Sequence, residues 1–194
     1  MTPMNKLLTG SAALALAALL ACGGGGGSSA PPKATGLAYT DPVSGTYRLM
    51  KNASSSGSHL VLDLVGPATG TAMGVSITLS TDGAKAAWVD VPAGGTRTVL
   101  MQNGTQFSLG SGTPIQKAKA AGAVLQATVA QKAPAAPAPL DGPLLRVALD
   151  LRPSLNLAQG TVIALSADAA KCQVLDGSGT ITPITISVGA LTAQ

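Results

Sequence analysis

The chain has 194 residues and a formal charge of +4, with 46% hydrophobic but only 10% charged and 2% aromatic residues. Glutamate is absent, the eight carboxylates are scattered aspartates, and the small basic excess forms no Lys/Arg cluster, which excludes a nucleic-acid partner. One histidine and two cysteines are too sparse for a transition-metal site, and the length suits one domain that needs no disulfide.

The chain opens with a basic residue, Lys6, and a Leu/Ala run from Leu7 to Leu20 that ends in Leu19-Leu20-Ala21-Cys22. Spanning a bilayer takes about 20 apolar residues. This run is shorter and is broken by Thr9, Gly10 and Ser11, so it reads as a secretory signal with a small residue before its cleavage point. The segment resembles a bacterial lipoprotein signal peptide with its lipobox. The resemblance implies cleavage after residue 21, acylation of Cys22 by palmitate-type chains and a durable membrane anchor. Gly23, where Asp would retain the protein in the inner membrane, favours the outer membrane. Residues 22–35 are Gly/Ser-rich and then Pro-rich, a composition that forms a flexible tether.

From Gly36 to Gln194 the pattern changes to short β-type runs divided by Gly, Asn, Asp and Pro. Leu60, Leu62 and Leu64 alternate with Val61 and Asp63, and Val75, Ile77 and Leu79 alternate with Ser76 and Thr78. Asp82-Gly83 and Asn103-Gly104 each separate two such runs and predict tight type I′ hairpins. Pro114 to Ala121 is compatible with a helical turn or more, and Ala133 to Pro143 reads as an extended, mobile Pro/Ala loop. Leu125, Ala127 and Val129 mark a further strand. Leu145, Val147, Leu149 and Leu151 mark another, with Arg146, Ala148, Asp150 and Arg152 facing away from the core. Runs at Val162 to Leu165, Gln173 to Leu175 and Ile184 to Val188 complete about nine strands. The fold class is therefore all-β, an antiparallel β-sandwich. The order and length of these runs resemble the jelly-roll sandwich of cohesins, which is related in shape to carbohydrate-binding modules. The resemblance implies a module that binds a protein partner.

The search for chemistry predicts no catalytic residue, cofactor or metal. His59 and Asp63 lie about 13 Å apart along one strand at about 3.3 Å per residue, too far to pair. Gly110-Ser111-Gly112 and Gly177-Ser178-Gly179 lack the spacing of a nucleophile elbow. Asp82-Gly83 and Asp176-Gly177 are oxygen-rich turns without the aspartate ladder of a calcium loop. Trp88 reads as core volume and not as a sugar platform. Cys172 reads as a buried thiol, since acylation of Cys22 leaves it no intramolecular partner. The sequence thus predicts a lipid-anchored cell-envelope binding module for an envelope protein, with Arg146, Ala148, Asp150 and Arg152 as the candidate interface. A polysaccharide-binding or adhesive lipoprotein, and an envelope hydrolase built from aspartates, are the alternatives.

Overall fold

The computed structural model describes residues 32–107, 114–132, 134–153 and 155–194. The signal segment, Cys22, the tether as far as residue 31, Ser108, Leu109 and the Gly110-Ser111-Gly112 turn lie outside the described residues.

All regular structure among the described residues is strand. The first half holds β1 (Leu37–Thr40), β2 (Tyr47–Lys51), β3 (His59–Val65), β4 (Thr71–Ala72), β5 (Gly74–Thr81), β6 (Ala86–Val89), β7 (Met101–Asn103), β8 (Ile115–Ala121) and β9 (Val124–Ala130). The second holds β10 (Ala138–Pro139), β11 (Pro143–Leu151), β12 (Val162–Ile163), β13 (Leu165–Ala167), β14 (Gln173–Leu175), β15 (Ile181–Pro183), β16 (Ile186–Ser187) and β17 (Ala190–Ala193). One main sheet runs β16-β2-β3-β11-β6, with β7 also on β11, and the other runs β15-β14-β5-β9-β8, with β13 on β5. Pairing is antiparallel except for β16 on β2. The minor sheets are β1-β17-β12 and β10-β4.

Alternation decides the core. Leu49, Leu60, Leu62, Leu64, Trp88, Leu145, Val147 and Leu149 from one main sheet meet Val75, Ile77, Leu79, Leu125, Ala127 and Val129 from the other in one apolar cluster. The structure is a β-sandwich with its apolar residues turned inward from both layers. Trp88 is in that core and donates its indole N–H to the Ala123 carbonyl at 2.8 Å, so the polar end of the ring is satisfied. Cys172 is a free, buried thiol, and burial pushes it above the ordinary thiol range.

Several local expectations are corrected. Pro114 to Ala121 is not helical: Ile115–Ala121 is β8, held along its length by β9. A tight two-residue hairpin lies instead at Gly122-Ala123 between β8 and β9, where Gly122 has φ +59°. Asn103-Gly104 makes no such turn. Gly104 donates to the Leu144 carbonyl at 3.1 Å and Thr105 to the Pro143 carbonyl at 2.8 Å, so the chain continues alongside β11. Glycine is required there because a Cβ would stand 1.8 Å from the Pro143 carbonyl oxygen. Asp82-Gly83 is a crossover and not a hairpin, since β5 and β6 belong to different sheets. The Asp82 carbonyl accepts from Lys85 and Ala86 N–H and its carboxylate from Ala84 N–H, which turns the chain without a positive φ. Val162 to Leu165 divides between β12 and β13, which enter different sheets. The Pro/Ala segment before β11 is pinned by the β10–β4 pair and by burial of Ala138 and Leu140. The packed chain starts ahead of Gly36: Ala34 is buried and donates to the Leu157 carbonyl at 2.7 Å.

Candidate protein-docking face

The outward face of β11 was the expected interface, and the structure commits it internally. Its side chains fall in three cross-strand rows: Asp63-Arg146-Gln102, Val61-Ala148-Val89 and His59-Asp150-Ala87. In the first, Arg146 grips Asp63 through Nε to Oδ1 at 2.7 Å and Nη2 to Oδ2 at 3.2 Å, a bidentate pair that raises the guanidinium above its ordinary value. Asn52 donates to the same carboxylate. In the second row Ala148 is fully buried against Val61 and Val91, which corrects its assignment to an open surface. In the third, His59 Nδ1 lies 2.7 Å from Asp150 Oδ1, and Nε2 lies 2.8 Å from the carbonyl oxygen of Val91. Arg152 donates Nε to the Gly83 carbonyl at 2.6 Å. The Val91 contacts with His59 and Ala148 tie the segment after β6 down over the sheet, while Arg146 and Asp150 are paired yet partly exposed.

The partner of His59 is thus Asp150, 91 residues away, and not Asp63. The register His59↔Asp150 brings them together, a signal that sequence carries only once two strands are aligned. Both ring nitrogens of His59 are thereby taken, and no group of three or more His, Cys or Asp able to hold a metal occurs among the described residues. The remaining acidic turns serve local structure. Lys85 lowers Asp82, Lys171 lowers Asp168, and the Ser178 hydroxyl with the Thr180 N–H lowers Asp176. Tyr39, Tyr47, Trp88 and Phe107 are all buried, so no aromatic platform faces solvent.

The other sheet is open on its outward side. Because Val75, Ile77, Leu125 and Val129 point inward, the residues between them form rows across five strands. One row is apolar throughout: Ile115-Ala130-Gly74-Leu175-Ile181. Its ends are 49% and 58% exposed at Ile115 and Ile181, and these are two of the few large apolar side chains left in solvent. Gly74 keeps the middle low, since a Cβ there would stand 2.7 Å from that of Ala130. The result is a shallow groove of about 150 Å³ between Thr128, Ser76 and the Leu175-Ile181 edge. The next row is polar: Lys117-Thr128-Ser76-Gln173. Beyond it lie Lys119, Gln126 and Thr78. Lys117 and Lys119 are exposed, and neither takes part in the ion pairs found among the described residues. A strip of apolar residues thus lies beside two lysines that make no ion pair among the described residues. Composition favours helix over Ile115–Ala121 and marks no strand at Ile181–Pro183, so only the register brings this row together.

No protein-family model and no curated protein matches this chain. Solved structures do match its fold. The sixth cohesin of scaffoldin B from Acetivibrio cellulolyticus, crystallised with a mutant Cel5 dockerin, superposes with a TM-score of 0.54 at 13% identity, over 74% of this chain and 96% of that one. The second type II cohesin module of the ScaA scaffoldin from the same organism gives 0.55 at 10% identity, over 79% and 99%. Another type II cohesin domain from its cellulosome gives 0.52 at 12% identity, over 80% and 94%. The fold is the cohesin-like jelly-roll sandwich.

Proposed function

We propose that this chain is a non-catalytic, lipid-anchored module of the cell envelope that binds another protein through the outward face of the β15-β14-β5-β9-β8 sheet. The observation that carries this reading is the apolar Ile115-Ala130-Gly74-Leu175-Ile181 row bordered by unpaired Lys117 and Lys119. The partner it fits presents apolar side chains to the row and carboxylates to the lysines. That several structures of this fold are cohesins crystallised with dockerins supports a protein partner. A polysaccharide partner has less support, because all four aromatic residues are internal. Cys22 carries the acyl chains in this proposal and holds the module at the outer membrane. Replacing Ile181→Asp together with Lys117→Glu and Lys119→Glu tests the face. Loss of the co-purifying envelope protein with an unchanged melting curve is the expected outcome, and undiminished recovery refutes it.

A further inference from the structure

A second feature, separate from the docking face, lies where the packed chain begins. A cleft of about 540 Å³, within the size range of small-molecule sites, is bounded by the entry segment at Lys33, the loop after β6 and the end of β11. Three cations line it: Lys33, Arg97 and Arg152. None of the three is paired with a carboxylate among the described residues. The one carboxylate on the wall, Asp150, already faces His59 Nδ1 at 2.7 Å. The lining also includes the apolar residues Val89, Leu151 and Leu155, so cationic and apolar groups share the cleft.

Arg97 is placed there at a conformational cost. It is the non-glycine residue with positive φ, 65°, among the described residues, and strained backbone of this kind collects at ligand sites. Buried Asp90 fixes the loop behind it by accepting N–H donors from Thr98 at 3.1 Å and Val99 at 2.7 Å. Gly95 makes room for that carboxylate, since a Cβ there would stand 2.3 Å from Asp90 Oδ2. A buried anchor therefore fixes the backbone that follows Arg97. Three cations and one carboxylate leave the wall near +2, the complement of a phosphate monoester at about −1.5 to −2 and more than a single carboxylate matches. Guanidinium forks also suit phosphate oxygens.

We propose that this cleft binds a phosphate monoester joined to an apolar body. The phosphate sits among Lys33, Arg97 and Arg152, and the body lies along Val89, Leu151 and Leu155. Titration calorimetry of the full chain with hexyl phosphate, inorganic phosphate and hexanol tests it. Hexyl phosphate is expected to bind at least about tenfold more tightly than either fragment, because only it engages both the cationic and the apolar groups. The Lys33→Gln/Arg97→Gln double variant should lose about tenfold with an unchanged melting curve, while Arg97→Lys, which keeps the charge, should lose less. Arg152 is left in place because it also holds the Gly83 carbonyl. Recruitment to phosphatidylcholine vesicles containing phosphatidic acid, lost in the double variant, assigns the phosphate to a lipid head. Hexyl phosphate binding without recruitment assigns it to a soluble ester. No saturable binding of hexyl phosphate, or equal affinity in the double variant, overturns the proposal.

Discussion

Replacing Gly104→Ala separates two reasons for needing glycine. Gly104 has no positive φ, so its requirement comes from close approach: the added methyl would meet the Pro143 carbonyl oxygen at 1.8 Å and the Leu144 carbonyl carbon at 2.8 Å. Both are backbone atoms, so the strands must part. Separation gives up the Gly104 to Leu144 and Thr105 to Pro143 hydrogen bonds, worth about 0.5–1.5 kcal/mol each. Overpacking adds about 1–3 kcal/mol. The expected loss is about 2–6 kcal/mol, a large share of the stability of a single domain. Gly122 provides the contrast, because it has φ +59° and nothing within 4 Å of an added Cβ. There, Ala should cost only about 1–2 kcal/mol, and Asn, which tolerates left-handed backbone, should recover part of it. At Gly104, Asn should be no better than Ala. Urea denaturation with a common slope measures all four variants. A Gly104→Ala midpoint near wild type, or recovery by Asn at that position, would refute the close-approach argument.

Three further outcomes are expected. Tyr39 donates to the Leu49 carbonyl and accepts from Gly189 N–H, both at 2.7 Å, and burial pushes its hydroxyl up to about 12. A raised folded value means that its contribution is intact below the unfolded value near 10 and is lost as pH climbs toward 12, so melting temperature should fall across that window and Tyr39→Phe should flatten the fall. Cys172 should resist a water-soluble thiol reagent until the domain unfolds, and rapid labelling of the native chain would contradict its burial. Cys22→Ser should abolish incorporation of labelled fatty acid and move the protein to the soluble fraction, and equal labelling would remove the anchor from the account.

The sequence made the sandwich legible wherever one strand face was uniformly apolar. Leu145 to Leu151 and Leu60 to Leu64 alternate cleanly, and both lie where alternation places them. It misled where composition and tertiary context disagree. Ile115 to Ala121 is rich in Ala, Lys and Gln, which favour helix, yet pairing with β9 and the Gly122 turn impose a strand. Asn103-Gly104 carries a hairpin signature, but β11 supplies a better partner than the following segment. Only the inward half of the β11 reading held without change. The outward half failed at Ala148, because the fold-back of Val91 over the sheet has no local signature. The docking row was hidden for a related reason: its members come from β8, β9, β5, β14 and β15, and only the register aligns them.

Site-specific photocrosslinking in intact cells tests protein association through the open sheet most directly. The crosslinker replaces exposed Gln126, which stands between Lys119 and Thr78 on the outward face, and a control replaces Val43, which is 99% exposed elsewhere. The account predicts one discrete adduct with a single envelope protein from position 126, absent from position 43 and lost when Lys117→Glu and Lys119→Glu are added. The same adducts from both positions, or a position-126 adduct indifferent to the lysine reversals, would contradict it.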